Sequence, residues 1–345
     1  MEDYFKSLKS EISATAESFR DREVISVFFG GGTPSFPDSE EVCSVLELLR
    51  GKFNFRDDAE ISIEVNPASA ISDKLCDYRQ AGFNRISIGA QSVNDDELRR
   101  LGRLHDRAAF FETFENARRA GFGNINVDLM SALPGQKTED YLKSLIEVCE
   151  LGPEHISAYS LIVEEGTPFY EMDLDLPSED EDRRMYHETG RFLAESGYHR
   201  YEISNYAISS DRECLHNKVY WKRGDYLGLG LGASSLADNV RWSNAIDIGR
   251  YMALAGNTDI RENIQKLSVS EQMEEFMFLG LRLVEGVSMA AFLKKFGQDI
   301  FDVYGNVIEK YTASGHLILE GDNLRLSAPG LDVSNTVMAD FLFDK

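Results

Sequence analysis

Strand-like and helix-like segments alternate along most of this chain, and that alternation limits the possible folds more than any other feature. Apolar runs typical of β-strands lie at Val24–Phe29, Glu60–Val65, Arg85–Ala90, Asn124–Met130, His155–Val163 and His199–Ser204. Helical patterns lie between them, at 38–49, 72–81, 107–120, 138–151 and 178–196. Alternating β and α units predict parallel strands joined by crossover helices.

A short junction between helix and strand recurs three times and makes this prediction more specific. In Ala81–Ile86, Ala120–Ile125 and Ser196–Tyr201 a helix is followed by glycine, an aromatic residue and then a strand. Glycine is favoured there because it adopts the left-handed conformation that ends a helix. Repeated junctions of this kind favour a βα barrel over an all-helical bundle or a sandwich.

Beyond residue 205 the pattern changes to a glycine-rich stretch and then to a small helical unit. Leu227–Gly232 is glycine-rich, a long amphipathic helix is expected from Ser268, a hairpin at 316–326 and a last helix from Asp332. We predict three parts: a βα barrel over 1–205, a connecting region over 206–265 and a winged-helix-like domain over 266–345. DNA binding by that domain is disfavoured because it is not notably basic.

Charge and cysteine content exclude several classes of function. The net charge of −23 argues against nucleic acid or an anionic membrane as a bulk partner. No apolar run is long enough to span a bilayer, and residues 1–20 lack the apolar core of a signal peptide, so a cytoplasmic location is expected. The four cysteines, at positions 43, 76, 149 and 214, show no metal-ligand spacing and are expected to be buried thiols.

The polar ends of the strand-like runs are the candidate ligand site. Gly30-Gly31-Gly32-Thr33-Pro34-Ser35 follows the first run, and glycines allow a backbone to approach a ligand closely. Glu64 and Gln91 end the next two runs, and Asp128 lies in the run after them, ahead of Leu133-Pro134-Gly135. Ligands bind at this edge in α/β folds, so these side chains are expected to face the barrel mouth. The alternative for each residue alone is that it caps a neighbouring helix.

Several of these segments, in this order and spacing, resemble a known family. They are Gly30–Ser35, Glu64-Val65-Asn66-Pro67, Gly89-Ala90-Gln91-Ser92, Leu101-Gly102-Arg103-Leu104-His105 and Asp128-Leu129-Met130 with Leu133-Pro134-Gly135-Gln136. They look like the radical S-adenosylmethionine (SAM) proteins related to oxygen-independent coproporphyrinogen oxidase. His216-Asn217-Lys218-Val219-Tyr220-Trp221 and Gly330–Asn335 resemble the haem-chaperone branch, HemW. The resemblance covers essentially the whole chain and implies a partial (β/α)6 radical SAM barrel.

The resemblance implies a role for each residue of the predicted cofactor site. Gly31, Gly32 and Thr33 would hold the methionyl end of SAM. The side chains that would contact its polar groups are Glu64, Gln91 and Asp128. Arg103 would bind the SAM carboxylate, for which a planar guanidinium is suited, and Ile162 would lie against the adenine. The alternative for Arg103 is a surface salt bridge.

His216 is the candidate haem ligand. An imidazole beside Tyr220 and Trp221 suits a haem, because histidine is a common axial ligand and aromatic rings pack on the macrocycle. Cys214 is a second candidate for the iron. The alternative is that this segment only packs the barrel mouth.

The chain departs from the family in one respect. The family holds a [4Fe–4S] cluster with Cys-x3-Cys-x2-Cys after the first barrel strand, and these 345 residues contain no such motif. The residues from Met1 onward match the helix after that loop, so the first barrel strand is expected to be missing. That would leave Val24–Phe29 as an apolar edge. We expect a truncated gene model, an expressed fragment or a degenerate relative.

Three functions follow from the resemblance. The leading one is a haem chaperone that binds SAM and haem and delivers haem to an acceptor protein. The alternatives are an oxygen-independent coproporphyrinogen III dehydrogenase of porphyrin biosynthesis, which would be an enzyme, and a cluster-free module that binds SAM or haem. The sequence does not identify the acceptor, a membrane-associated protein being one candidate, nor the oligomeric state. No nucleic-acid partner is expected.

Overall fold

A seven-stranded sheet, curled into a half-barrel, forms the first part of the molecule. The computed structural model describes residues 1–343. Its strands are β1 (Glu23–Phe29), β2 (Asn54–Val65), β3 (Arg85–Gln91), β4 (Ile125–Ser131), β5 (His155–Ser160), β6 (His199–Arg200) and β7 (Asn205–Ala207). They lie in the order β1-β2-β3-β4-β5-β7-β6, and neighbours from β1 to β5 are parallel.

Helices on the outside of this sheet accompany its strands. They are α1 (Glu2–Thr15), α2 (Ser39–Lys52), α3 (Ser72–Ala81), α4 (Asp95–Arg100), α5 (Arg107–Arg119), α6 (Thr138–Glu150) and α7 (Glu179–Glu195). A further helix, α8 (Leu215–Trp221), follows the sheet and packs against the inner side of β1. Within residues 1–343, no helix is both long and apolar enough to cross a membrane.

The two faces of the half-barrel differ in chemistry, because successive residues of a strand point to opposite sides. Apolar residues on the outer face pack under the helices, and they include Ile61, Ile63, Ile86, Ile88, Ile125, Val127 and Leu129. The residues between them are mostly polar or charged and form the inner wall: Glu60, Ser62, Glu64, Arg85, Ser87, Asn126, Asp128, His155 and Ser157. The apolar face drives folding, and the polar face is left for binding.

The sixth strand-like run differs from the sequence prediction. A continuous strand was expected over 199–204, but the chain forms the short strands β6 and β7, which pair with each other in antiparallel fashion. The reversal is held by Glu202, whose carboxylate accepts a hydrogen bond from the Ser204 backbone N–H at 3.1 Å and another from the Asn205 side chain. As a result β7 runs antiparallel to β5 and ends the parallel sheet.

Two smaller units follow the half-barrel. The first contains β8 (Ser234–Ala237), β9 (Val240–Asn244), α9 (Ile248–Leu254) and β10 (Arg261–Lys266), whose strands form an antiparallel sheet. The second contains α10 (Val269–Gly280), β11 (Val287–Ser288), α11 (Met289–Phe296), α12 (Ile300–Ala313), β12 (Leu317–Glu320), β13 (Asn323–Leu326), α13 (Ala328–Asp332) and α14 (Ser334–Ala339).

The last unit has a hydrophobic core of its own, centred on Met277, Phe292, Ile308, Leu324 and Phe341. The α/β fold with a small C-terminal helical unit is therefore confirmed. The last helix differs from the prediction: helix ends at Asp332, and a separate one begins at Ser334, because Val333 leaves helical geometry with φ −118° and ψ 29°. The three domain boundaries proposed from the sequence stay a prediction.

Gly286 gives a test of packing in the C-terminal unit. It has φ +71°, and a Cβ there would lie 2.1 Å from the Leu324 carbonyl oxygen. Gly321 has φ +61° with nothing within 4 Å of a Cβ. We expect Gly321→Ala to cost about 1–2 kcal/mol, for backbone strain alone. Gly286→Ala should cost more than about 3 kcal/mol, because strain and steric overlap add. Denaturant unfolding followed by circular dichroism measures both, and equal losses would contradict this packing.

Candidate functional site

The glycine loop between β1 and α2 leaves an open cradle at the end of the barrel. Gly31 and Gly32 have φ +79° and +150°, and a Cβ on either would meet nothing within 4 Å. Gly30 is different, because its Cβ would lie 2.7 Å from the Phe28 ring. Thr33 follows with its side chain exposed. Backbone conformation requires the glycines, and the space above the loop is free for a ligand.

The loop is held rigidly at its base by a lysine that the sequence analysis did not single out. Lys74, on α3, donates hydrogen bonds to the carbonyl oxygens of Ser35 at 2.8 Å, Phe36 at 3.1 Å and Pro37 at 2.7 Å. The Ser35 hydroxyl in turn accepts the Asn66 N–H at 3.0 Å. The open part of the loop therefore projects from a fixed base.

Glu64 and Asp128 lie close enough on the inner wall to affect each other's protonation. Burial, together with the charge of Asp128, raises the pKa of Glu64 to about 7, although the Gly31 backbone N–H hydrogen-bonds to its carboxylate. Glu64 therefore contacts the glycine loop directly. Two of the predicted site elements are brought together here, with a carboxyl group that titrates near neutral pH.

Asp128 is held by a set of polar side chains on neighbouring strands. Ser87 donates to its Oδ2 at 3.1 Å, and Asn126 donates to its Oδ1 at 2.8 Å. Burial raises the pKa of Asp128, while these hydrogen bonds, one from Ser157 and the charge of Arg85 oppose that rise. The carboxylate is thus fixed in direction before any ligand binds.

Gln91 ends β3 in an unusual backbone conformation. Its φ is +64°, which is rare for a residue other than glycine, and it is buried. Its Oε1 accepts a hydrogen bond from the Tyr159 hydroxyl at 3.1 Å. Strained residues of this kind cluster at binding sites, so the geometry favours a functional role for Gln91.

Tyr159, on β5, was missed by the sequence analysis and lies at the centre of the predicted site. Burial raises the pKa of its phenol, and it feels the charges of Asp128, Arg103 and Glu64. It therefore lies near three of the predicted residues and bonds to a fourth. The two-residue periodicity of β5 could have indicated its role, because Tyr159 lies two residues after Ser157 and so on the same inner-facing side of the strand.

Arg103 is half-buried, after α4, and beside His105 and Asp106. Among the arginines of residues 1–343, Arg103 alone has a side chain with no hydrogen bond, ion pair or ring contact. The expected alternative of a surface salt bridge is therefore not formed in the described part of the chain. A free guanidinium within electrostatic range of Tyr159 can bind an anionic group.

Ile162 does not pack against the other predicted site residues. It lies beyond the end of β5, and its side chain is 74% exposed. The structure thus brings Gly31, Glu64, Asp128, Gln91 and Arg103 towards one edge of the sheet, with Thr33 and Ile162 exposed on loops at that edge.

His216 lies on α8, inside the half-barrel, against the first two strands. Its ring is stacked on Phe28, with centroids 4.5 Å apart and planes 17° apart, and meets Tyr220 edge-on at 4.8 Å. Burial, then the charge of Arg85, lowers the pKa of His216 to about 4. Neither ring nitrogen has a hydrogen-bond partner among residues 1–343. The imidazole is neutral and uncommitted.

Cys214 differs from His216 in being enclosed. Its side chain is 1% exposed, and burial raises the pKa of its thiol to about 12. Cys43 and Cys149 also have thiols whose pKa is raised by burial, to about 11 and about 12. Iron–sulfur clusters bind thiolates. These protonated thiols do not fit a [4Fe–4S] cluster.

Two family models match the chain. The model described as the radical SAM superfamily matches residues 2–147, and that described as the HemN C-terminal domain matches residues 267–333.

Proteins of known name resemble it over nearly its whole length. It is 32% identical to "Heme chaperone HemW" of Bacillus subtilis (strain 168), over 99% of this chain and 92% of that protein. It is 31% identical to the protein of the same name from Escherichia coli (strain K12), over 99% and 90%. It is 34% identical to "Radical S-adenosyl methionine domain-containing protein 1, mitochondrial" of Danio rerio, over 93% and 76%.

One solved structure is similar throughout. It is described as "Coproporphyrinogen III oxidase (HemN) from Escherichia coli is a Radical SAM enzyme", and it superposes with a TM-score of 0.87 at 25% identity. The match covers 99% of this chain and 82% of that one.

The pair Glu64 and Asp128 gives a prediction about how one carboxyl group affects the pKa of the other. Because the pKa of Glu64 is about 7 when folded against 4.5 for a free carboxyl, the folded state binds the extra proton. The stabilisation that Glu64 contributes to the folded state is therefore fully present below about pH 4.5 and is lost as the pH rises through 7. Asp128→Asn removes the neighbouring charge and should lower the pKa of Glu64.

Carboxyl titration by NMR or infrared spectroscopy with labelled glutamate measures this shift. Asp96→Asn, on the exposed first turn of α4, is the matched control and should leave the pKa of Glu64 unchanged. An unchanged titration in Asp128→Asn would mean that the two carboxyl groups are not coupled.

Proposed function

The chain belongs to the HemW haem-chaperone family of radical SAM proteins, and from this premise we propose that it binds S-adenosylmethionine and haem and delivers haem to an acceptor protein. The observation that carries the proposal is the combination of an uncommitted guanidinium at Arg103 with hydrogen-bond acceptors at Glu64 and Asp128 on one edge of the sheet. The same half-barrel holds an uncommitted imidazole at His216.

The chemistry of SAM matches this arrangement. SAM carries a carboxylate, an ammonium, two ribose hydroxyls and a flat adenine. In our proposal Arg103 pairs with the carboxylate, and the glycine loop lets the methionyl end approach its backbone. Asp128, already oriented by Ser87 and Asn126, accepts from ribose hydroxyls. Gln91 and Glu64 supply further polar contacts, Thr33 lies beside the methionyl group and Ile162 covers the adenine.

The proposed haem ligand is His216. Neutral imidazole is the form of histidine that binds a metal, and a ring with no competing hydrogen bond is free to do so. Stacking on Phe28 fixes the plane of the ring at 17° to that of its neighbour. The buried, protonated thiol of Cys214 is a weaker candidate. Haem supplies the iron and the macrocycle, and the chain supplies the ligand and the aromatic surface.

The family also implies a [4Fe–4S] cluster, whose Cys-x3-Cys-x2-Cys ligands are not among these 345 residues. A coproporphyrinogen III dehydrogenase is the second candidate, favoured only by the 25% identical structure. The haem-chaperone relatives are 31–32% identical over 99% of the chain, which makes the first proposal stronger. A membrane-associated acceptor and a cytoplasmic location stay predictions.

SAM binding is tested by calorimetric titration of the parent chain and of Arg103→Ala and Asp128→Ala. Each should weaken binding by roughly ten- to a hundredfold, because one charge-assisted hydrogen bond contributes about 1.5–3 kcal/mol. Arg119→Ala is the matched control, because Arg119 is exposed on α5 and already paired with Glu115 at 3.4 Å. Unchanged affinity in both test variants would remove these residues from the proposed site.

Haem binding is tested by absorbance of the ferric haem complex. His216→Ala should shift the Soret band or weaken binding, whereas His316→Ala should do neither, since His316 lies in the C-terminal unit and is bonded to Ser314. A spectrum that Cys214→Ser changes and His216→Ala does not would transfer the ligand to the thiol. A spectrum that neither changes would mean that α8 is structural.

A further inference from the structure

We propose that Glu60, on β2, is a positioning residue that clamps the first turn of α8 and thereby fixes the direction of His216. The effect of the clamp on haem binding rests on the proposed function. The clamp itself does not, because it consists of contacts within this chain. Glu60 lies in no motif of the sequence analysis, and its role is visible only once β2 and α8 are adjacent.

The first turn of α8 receives its cap from another element. Cys214, the residue before the helix, makes no side-chain cap of its own. Glu60 replaces it: its carboxylate accepts the backbone N–H of Leu215 at 3.1 Å and that of His216 at 3.2 Å. The Cys214 thiol donates to the same carboxylate at 3.7 Å. A carboxylate at the positive end of a helix satisfies backbone donors that would otherwise be unpaired.

Arg85 supports this carboxylate from the next strand. It is 2% exposed, and its Nε lies 3.9 Å from Glu60 Oε2, its nearest ion-pair contact. That nitrogen has no hydrogen-bond partner within residues 1–343. Arg85 therefore acts on Glu60 through charge over a short distance and not through a direct hydrogen bond. The opposite charges of the two side chains attract each other across this distance in a largely buried place.

A second arm holds the same turn from the other side. The backbone N–H of Cys214 donates to the Tyr201 hydroxyl oxygen at 3.2 Å. The Tyr201 hydroxyl is 2.8 Å from His155 Nε2, and His155 Nδ1 is 2.6 Å from Asn126 Oδ1. Burial lowers the pKa of His155 well below its usual value, so the ring is neutral, with Nδ1–H donating to Asn126 and Nε2 accepting from Tyr201.

The two arms fix three consecutive backbone N–H groups, those of Cys214, Leu215 and His216. The ring of His216 also stacks on Phe28, at 4.5 Å, so the backbone clamp and the stack together set its direction. An axial ligand binds best when its ring is already oriented, because no conformational freedom is lost on binding. Release of the first turn would therefore leave His216 present but poorly directed.

The thiol of Cys214 reports on the clamp without any haem. Because it is buried against Glu60, an alkylating reagent reaches it only when the turn opens, and in the open turn the thiol no longer faces that carboxylate, so the labelling rate follows opening and not the local charge. We expect Glu60→Gln to raise the labelling rate of Cys214 by iodoacetamide about fivefold, the usual effect of a lost helix cap. Glutamine at position 60 replaces one carboxylate oxygen by an NH2 group, which cannot accept the backbone N–H of Leu215 or His216 that faces it. Peptide mass spectrometry assigns the label to position 214 in the full chain.

Tyr201→Phe tests the second arm and guards against a folding defect in the first variant. It removes the acceptor of the Cys214 N–H and keeps the ring, so it should raise the same rate by a smaller factor. Glu154→Gln is the matched control. That carboxylate also accepts a backbone N–H, from Ile125 at 2.9 Å, and also pairs with an arginine, Arg118 at 2.9 Å, but far from α8. It should not change labelling of Cys214.

The haem spectrum tests the positioning role. In Glu60→Gln the Soret band should move towards that of His216→Ala, while Glu154→Gln should keep the parent spectrum. Unchanged labelling of Cys214 in Glu60→Gln would overturn the clamp. Faster labelling with an unchanged spectrum would overturn the positioning of His216. If His216→Ala itself leaves the spectrum unchanged, the proposed haem site fails, and the labelling rates alone then uphold or overturn the clamp.

Discussion

Hydrogen bonds between side chains on the inner wall of the half-barrel are the interaction on which the rest of the site depends. Asn126 lies at their centre: its Nδ2 donates to Ser87 at 2.7 Å and to Asp128, and its Oδ1 is bound by His155 and Ser157. The three strands β3, β4 and β5 are thus joined by side chains as well as by their backbones. In a low-dielectric interior such bonds strengthen one another, and an unpaired member would be costly.

This network extends in two directions and so connects the two candidate binding regions. Towards the end of the strands it orients Asp128, beside Glu64 and the glycine loop. Away from it, His155 and Tyr201 lead to the first turn of α8. The inner wall is therefore one continuous polar structure, with the proposed SAM site at its edge and the His216 helix against its first strands.

The distribution of charge follows the same arrangement. Glu60, Glu64 and Asp128 place carboxyl groups along the inner wall, and Arg85 lies among them as a buried cation. Arg103 stands apart, without a partner in the described residues, at the edge where a zwitterionic ligand would bind. Glu60 is bonded within the fold, whereas the oriented Asp128, Glu64, with a pKa of about 7, and Arg103 are the groups of the proposed ligand site.

The sequence by itself determined the alternation of strands and helices, the glycine loop and the polar residues Glu64, Gln91 and Asp128 on the strands, because these depend on local periodicity and on short motifs. It did not determine the reversal at Glu202, which a side-chain hydrogen bond to the turn imposes on a strand-like run. Nor did it identify Tyr159, Lys74 or Glu60, whose partners are separated from them by many residues and meet them only when strands pair. The tertiary structure alone decided that a carboxylate on β2 caps a helix more than 150 residues later. Such contacts depend on sheet register and curvature, which no local pattern encodes.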